Sequence, residues 1–184
     1  LDASGHDVVV DGDLAYVACG NDGLRIFDVT APGAPILVGS LGDLGIIWDL
    51  DAQDGYVYLA DYYGSLAIVD ARAPTAPTVT SILSLNYGAR GVDVVGDWAY
   101  LACDNVDLAV VDVSDPAAPI VRATQAAPGQ ARDIAVQGDR AYLAAWTTAI
   151  AVIDVSDPLA PDYLGSAPDG DDARGVGVSG DLAC

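Results

Sequence analysis

Ile150-Ala-Val-Ile-Asp-Val-Ser-Asp-Pro-Leu-Ala-Pro161 has a near copy 42 residues upstream, Leu108-Ala-Val-Val-Asp-Val-Ser-Asp-Pro-Ala-Ala-Pro119. Looser copies stand at the same spacing, Leu66-Ala-Ile-Val-Asp-Ala-Arg-Ala-Pro74 and Leu24-Arg-Ile-Phe-Asp-Val-Thr-Ala-Pro32. Outward from this stretch other residues keep the 42-residue period: Tyr16, Tyr58, Tyr100 and Tyr142 form one series, and Pro35, Pro77, Pro119 and Pro161 another. No gap is needed, so the chain divides into units 6–47, 48–89, 90–131 and 132–173, with a partial unit at 174–184. Within the last complete unit, Arg132–Gln137 alternates like a first strand, and Gly138-Asp139 turns into Ala141–Ala145, apolar on both faces. Ile150–Val155 reads as the third strand, a Pro-rich loop follows, and Asp162–Ser166 reads as a weaker fourth. A strand about every ten residues is the spacing of an antiparallel all-β array. Inner strands apolar on both faces must be covered on both sides, as in radially stacked four-stranded blades. The expected fold is an all-β propeller, 1–184 forming a single repeat array, complete or an arc of a larger ring.

Composition agrees. All 27 acidic residues are Asp and all seven basic residues are Arg, so strong helix formers are scarce, while 20 Gly and 10 Pro punctuate turns. With 52% apolar residues the chain can bury a core, which excludes disorder. A net charge of -20 argues against nucleic acid or an anionic membrane surface as a partner. No apolar run reaches the ~18 residues of a spanning helix, so membrane insertion is not expected.

The Leu/Ile-Ala-Val-Val/Ile-Asp-Val-Ser-Asp-Pro runs, with the Gly-Asp-x-Ala-Tyr turns and the Ala-Arg-Asp/Gly-Val segments, resemble the LVIVD repeat. The resemblance covers essentially the whole chain; unit two departs most, with Ala71-Arg-Ala where other units have Val-Ser-Asp. It implies a propeller of bacterial and archaeal proteins, often exported or surface-associated, and mostly without an assigned activity.

Most periodic residues have structural readings. Asp28, Asp70, Asp112 and Asp154 end third strands, where Asp bonds the amides of the following turn. The Tyr series fills core between blades. The first-strand register is more informative: it holds His6, Trp48, Arg90, Arg132 and Arg174. In a propeller the first strand is innermost, so these side chains are expected at the rim of the central channel, where guanidinium groups can bind a carboxylate, phosphate or sulfate. The competing expectation pairs each Arg with an Asp such as Asp133 or Asp172, or with carbonyls of the next blade. Loops preceding the first strands keep their length and vary in content: Gly42–Ile46, Ser84–Gly88, Ala126–Gln130 and Pro168–Asp172. Specificity on an invariant frame usually resides in such loops. Asp169-Gly-Asp-Asp172 and Asp104-Asn-Val-Asp107 read as solvated turns rather than Ca²⁺ loops, since they lack further ligands.

Cys19 and Cys103 share a register two units apart, too far for a disulfide, and read as small buried hydrophobes; Cys184 is terminal. One His, no CxxC and no GxGxxG after a strand leave no metal, cofactor or nucleophilic catalytic site to assign. The chain ends inside the second strand of a unit, which sets up the expectation of a fragment, or of two chains completing one ring as a homodimer. The functional expectation is a non-catalytic binding or interaction scaffold, secreted or at the cell surface, whose partner is a protein or an anionic small ligand. The alternatives are a propeller hydrolase or lyase working in the channel with Asp49 or Asp133 as base, and a spacer in a larger surface protein.

Overall fold

The computed structural model describes residues 5–147, 149–167, 173–180 and 182–183. The described chain is all-β. The first blade is β1 (Asp7–Asp11), β2 (Leu14–Ala18), β3 (Leu24–Asp28) and β4 (Ile36–Leu41); the second is β5 (Ile47–Gln53), β6 (Tyr56–Asp61), β7 (Ser65–Asp70) and β8 (Thr78–Ser84). The third is β9 (Ala89–Val95), β10 (Trp98–Cys103), β11 (Asp107–Asp112) and β12 (Ile120–Gln125); the fourth is β13 (Ala131–Gln137), β14 (Arg140–Ala145), β15 (Ala149–Asp154) and β16 (Asp162–Ala167). β17 (Val178–Ser179) and β18 (Leu182–Ala183) form a further hairpin. Each four-stranded sheet is an antiparallel meander, the order that short turns impose. Gly12, Gly96 and Gly138 sit at φ 58, 60 and 58° in the first turn of their blades, a left-handed conformation that favours Gly.

The pleat explains the core. Successive side chains in a strand point to opposite faces, so one blade feeds two cores. Tyr58, Ala60, Leu66 and Ile68 pack on Ala99, Leu101, Ala109 and Val111 of the third blade. Their strand neighbours Val57, Leu59, Ala67 and Val69 pack the other way, on Tyr16, Ala18, Leu24 and Ile26 of the first. Tyr100, Ala102, Leu108 and Val110 meet Ala141, Leu143, Ala151 and Ile153 of the fourth in the same manner. Tyr16, Tyr58 and Tyr100 therefore lie buried between blades as expected, whereas Tyr142 is half-buried and belongs to none of these three cores. Cys19 and Cys103 are buried free thiols, and burial pushes the Cys103 thiol up.

The first strands β1, β5, β9, β13 and β17 pack on one another in succession. Each has one edge bonded to its own second strand and one edge without a strand partner, which would leave backbone N–H groups unmet. Carboxylates of the preceding blade meet them. The Val92 N–H donates to Asp49 (2.6 Å), Val94 to Asp51 (2.7 Å), Val136 to Asp93 (2.6 Å) and Val176 to Asp133 (2.7 Å), all 43 residues apart. Gln53 completes the row, accepting from the Gly96 N–H and donating to its carbonyl. No local sequence pattern announces this row. On the outside, Gly39 of β4 leaves room for the Pro74 carbonyl, which a Cβ there would meet at 1.9 Å.

The loops between third and fourth strands follow expectation. Asp28, Asp112 and Asp154 each accept from the backbone N–H and hydroxyl of the residue two further on, Thr30, Ser114 and Ser156. Unit two keeps the turn: Asp70 accepts from the Arg72 N–H, and the guanidinium replaces the hydroxyl.

Candidate functional site

The rim register starts each first strand, and there the pairing is irregular. In β5 the partners jump from Ile47↔Asp61 to Asp49↔Ala60, leaving Trp48 as an extra residue; β9 and β13 do the same around Arg90 and Arg132. Such a bulge re-aims side chains, so consecutive residues can face one space. The result is one concavity of about 340 Å³ lined by His6-Asp7, Trp48-Asp49 and Arg132-Asp133, with Arg90, Arg174 and Gly175. A contiguous space of about 220 Å³ is bounded by Trp48, Arg90, Arg132 and Arg174 together with Trp146. All five rim residues of the sequence reading thus border a single region, and Trp146 joins them.

Four of the five rim residues, His6, Trp48, Arg90 and Arg132, have a companion 14 residues later, just beyond the second strand of the same blade. A Cβ at Gly20 would touch His6; Trp48 and Tyr62 have ring centroids 6.2 Å apart; Arg90 Nε donates to Asp104 Oδ1 at 2.5 Å; and Arg132 lies 3.9 Å above the Trp146 ring. The rim is therefore two variable registers in contact. The second, Gly20, Tyr62, Asp104 and Trp146, was legible as a variable position in the 42-residue alignment, but nothing in the sequence marks it as touching the first. Neighbouring blades are linked as well: His6 meets Trp48 edge-on at 4.7 Å, and the Arg90 guanidinium lies 4.8 Å from the Tyr62 ring centroid.

Two expectations are met only in part. The repeated Arg residues do not pair with Asp133, whose oxygens accept from the Val176 and Ile134 N–H groups; Arg90 pairs with Asp104 of its own blade instead. Asp172, the other expected partner, lies outside the described residues, as do Asp169-Gly-Asp-Asp172 and Cys184. Asp104-Asn-Val-Asp107 is not simply a solvated turn: Asp104 holds Arg90, and buried Asp107 accepts from the Ala127 N–H. The loops preceding the first strands also serve the core through Leu44, Tyr87 and Ala127.

The electrostatics are divided. Burial pushes the pKa of Arg132 down, and the nearby Arg90 and Arg174 add to that. Arg132 forms no ion pair among the described residues. One residue further along the strands, burial and the hydrogen-bonded Asp7 carboxyl push Asp49 well above the usual carboxylate range, and burial also raises Asp133. No group of three or more His, Cys or acidic side chains suited to a metal ion occurs among the described residues.

The LVIVD repeat model matches residues 3–43, 44–84, 88–124 and 128–167, nearly the whole chain. The chain belongs to the LVIVD-repeat family. Solved structures share its fold. A functionally unknown protein from Desulfotomaculum acetoxidans DSM 771 is 14% identical with a TM-score of 0.77, the match covering 97% of this chain and 61% of that one. The computationally designed Ika8 protein is 9% identical with a TM-score of 0.76, over 96% of this chain and 53% of that one. The LVIVD chain described here thus spans little more than half the length of either. A search of curated proteins finds no match.

Proposed function

We propose that this LVIVD propeller is a binding scaffold, acting at the cell surface or outside the cytoplasm, that takes an anionic group of its partner at the rim. One observation carries the reading. Arg132 converges with Arg90 and Arg174 on one concavity, and it rests on the face of Trp146 with no carboxylate paired to it among the described residues. Guanidinium groups brought together repel one another, and a bound carboxylate, phosphate or sulfate relieves that repulsion while accepting paired N–H bonds. The acidic composition suits an extracytoplasmic setting. Asp49 and Asp133, the bases an enzymatic alternative would need, are engaged with backbone N–H groups of the following blade.

The test is a titration at low ionic strength with acetate, citrate, phosphate and sulfate, followed by tryptophan emission, because an anion drawing Arg132 away changes the surroundings of Trp146. A saturable change that weakens about tenfold or more in Arg132→Ala, with the melting temperature unchanged, is the expected result. A melting temperature that falls while the wild-type protein binds none of these anions would leave the arginines a structural role only.

A further inference from the structure

Resting on that reading, we infer that the anion is the carboxylate of an acidic sugar, and that the rim is a subsite for a uronate-containing oligosaccharide. Three features of the concavity select it together. First, two indole rings border the same space as the arginines, Trp48 40% exposed and Trp146 44% exposed. The negative face of an indole attracts the C–H face of a pyranose, a flat apolar surface that simple inorganic anions lack. Second, the carboxylates of Asp7, Asp49 and Asp133 lie among the arginines. They disfavour a dianion such as phosphate or sulfate, but a carboxylate oxygen retains lone pairs beyond the backbone bonds it already accepts, and sugar hydroxyls are donors. Third, an aromatic row leads away from the concavity, from Trp48 at its border to Tyr62 and Tyr63, with ring centroids 6.2 and 5.6 Å apart and Tyr63 73% exposed. Such a row suits successive rings of a chain rather than one enclosed ligand. A uronate alone among these candidates offers all three complements: a single negative charge for Arg132 and Arg174, hydroxyl donors for the aspartates, and a ring face for the tryptophans.

Calorimetric titration of the full chain with trimers of galacturonate, glucuronate and mannuronate tests this, beside neutral galactose and mannose trimers, acetate, phosphate and an acidic tripeptide. At least one uronate trimer is expected to bind about tenfold or more tighter than acetate, and the neutral trimers not to bind measurably. Trp48→Ala and Trp146→Ala should each weaken uronate binding more than they weaken acetate binding, and Trp48→Phe, which keeps a ring face, should restore most of the uronate affinity. If acetate, phosphate or the tripeptide binds as tightly as every uronate trimer, or if binding survives both tryptophan substitutions, the sugar inference is overturned while the anion reading stands. If no anion binds at all, both fall.

Discussion

Two sets of aspartates recur with the repeat and behave in opposite ways. On the inner strands Asp51 and Asp93 are half-buried and accept the N–H of a different blade; burial lifts both, Asp93 to about 6. On the outer loops Asp28, Asp70, Asp112 and Asp154 accept from residues two positions on, and those side-chain bonds lower them, Asp70 and Asp112 to about 2. The same carboxylate is a long-range tie in one place and a local turn former in the other. What differs is the alternative open to its partner: an N–H on the half-buried inner edge reaches water less readily than one in an exposed turn.

The largest effect should follow from removing an inner tie. Asp93→Ala leaves the Val136 N–H without its acceptor and should cost about 1–3 kcal/mol, read as a lower urea midpoint. Gly39→Ala should cost a comparable amount, about 1–3 kcal/mol, by driving a methyl group into the Pro74 carbonyl of the next blade. That result would show the outer edge to be as tightly fitted as the inner one at this single point.

The pH dependence sharpens the contrast. Between the ordinary Asp value of about 4 and the Asp93 value of about 6, the folded protein keeps a proton that the unfolded chain has lost, so stability falls as pH rises through that window. Asp93→Asn keeps an oxygen acceptor without a charge, and its stability should fall less steeply from pH 4 to 6. A slope equal to wild type would show that Asp93 is not the group titrating there. The outer set has the reverse sign: its contribution is present above about pH 4 and is lost as pH drops towards about 2. The smallest effect belongs to Asp154→Ala, expected to leave the urea midpoint nearly unchanged. A cost matching that of Asp93→Ala would break the comparison.

The repeat made most of the fold readable. Strand positions, the two-faced cores and the Asp turns after third strands follow from period and pattern, because a strand exposes its two faces in strict alternation and Asp forms its turn locally. Even Ala71-Arg-Ala, the least regular copy, keeps that turn, since Arg72 donates to Asp70 as Ser and Thr do elsewhere. The rim register His6, Trp48, Arg90, Arg132 and Arg174 was likewise visible as a break in chemistry within an otherwise regular repeat.

The sequence by itself determined which residues sit at the head of each blade; the tertiary structure decided what they meet. A bulge at Trp48, Arg90 and Arg132 turns neighbouring residues towards one space, and no local pattern announces it. Contacts 14 residues apart, such as Arg90 with Asp104 and Arg132 with Trp146, depend on how the first and second strands align in each blade. Ties 43 residues apart, such as Asp93 to Val136, depend on how blades stack. Alternation and turn chemistry are short-range and can be read along the chain, whereas a bulge and a blade-to-blade approach exist only once the sheets have packed.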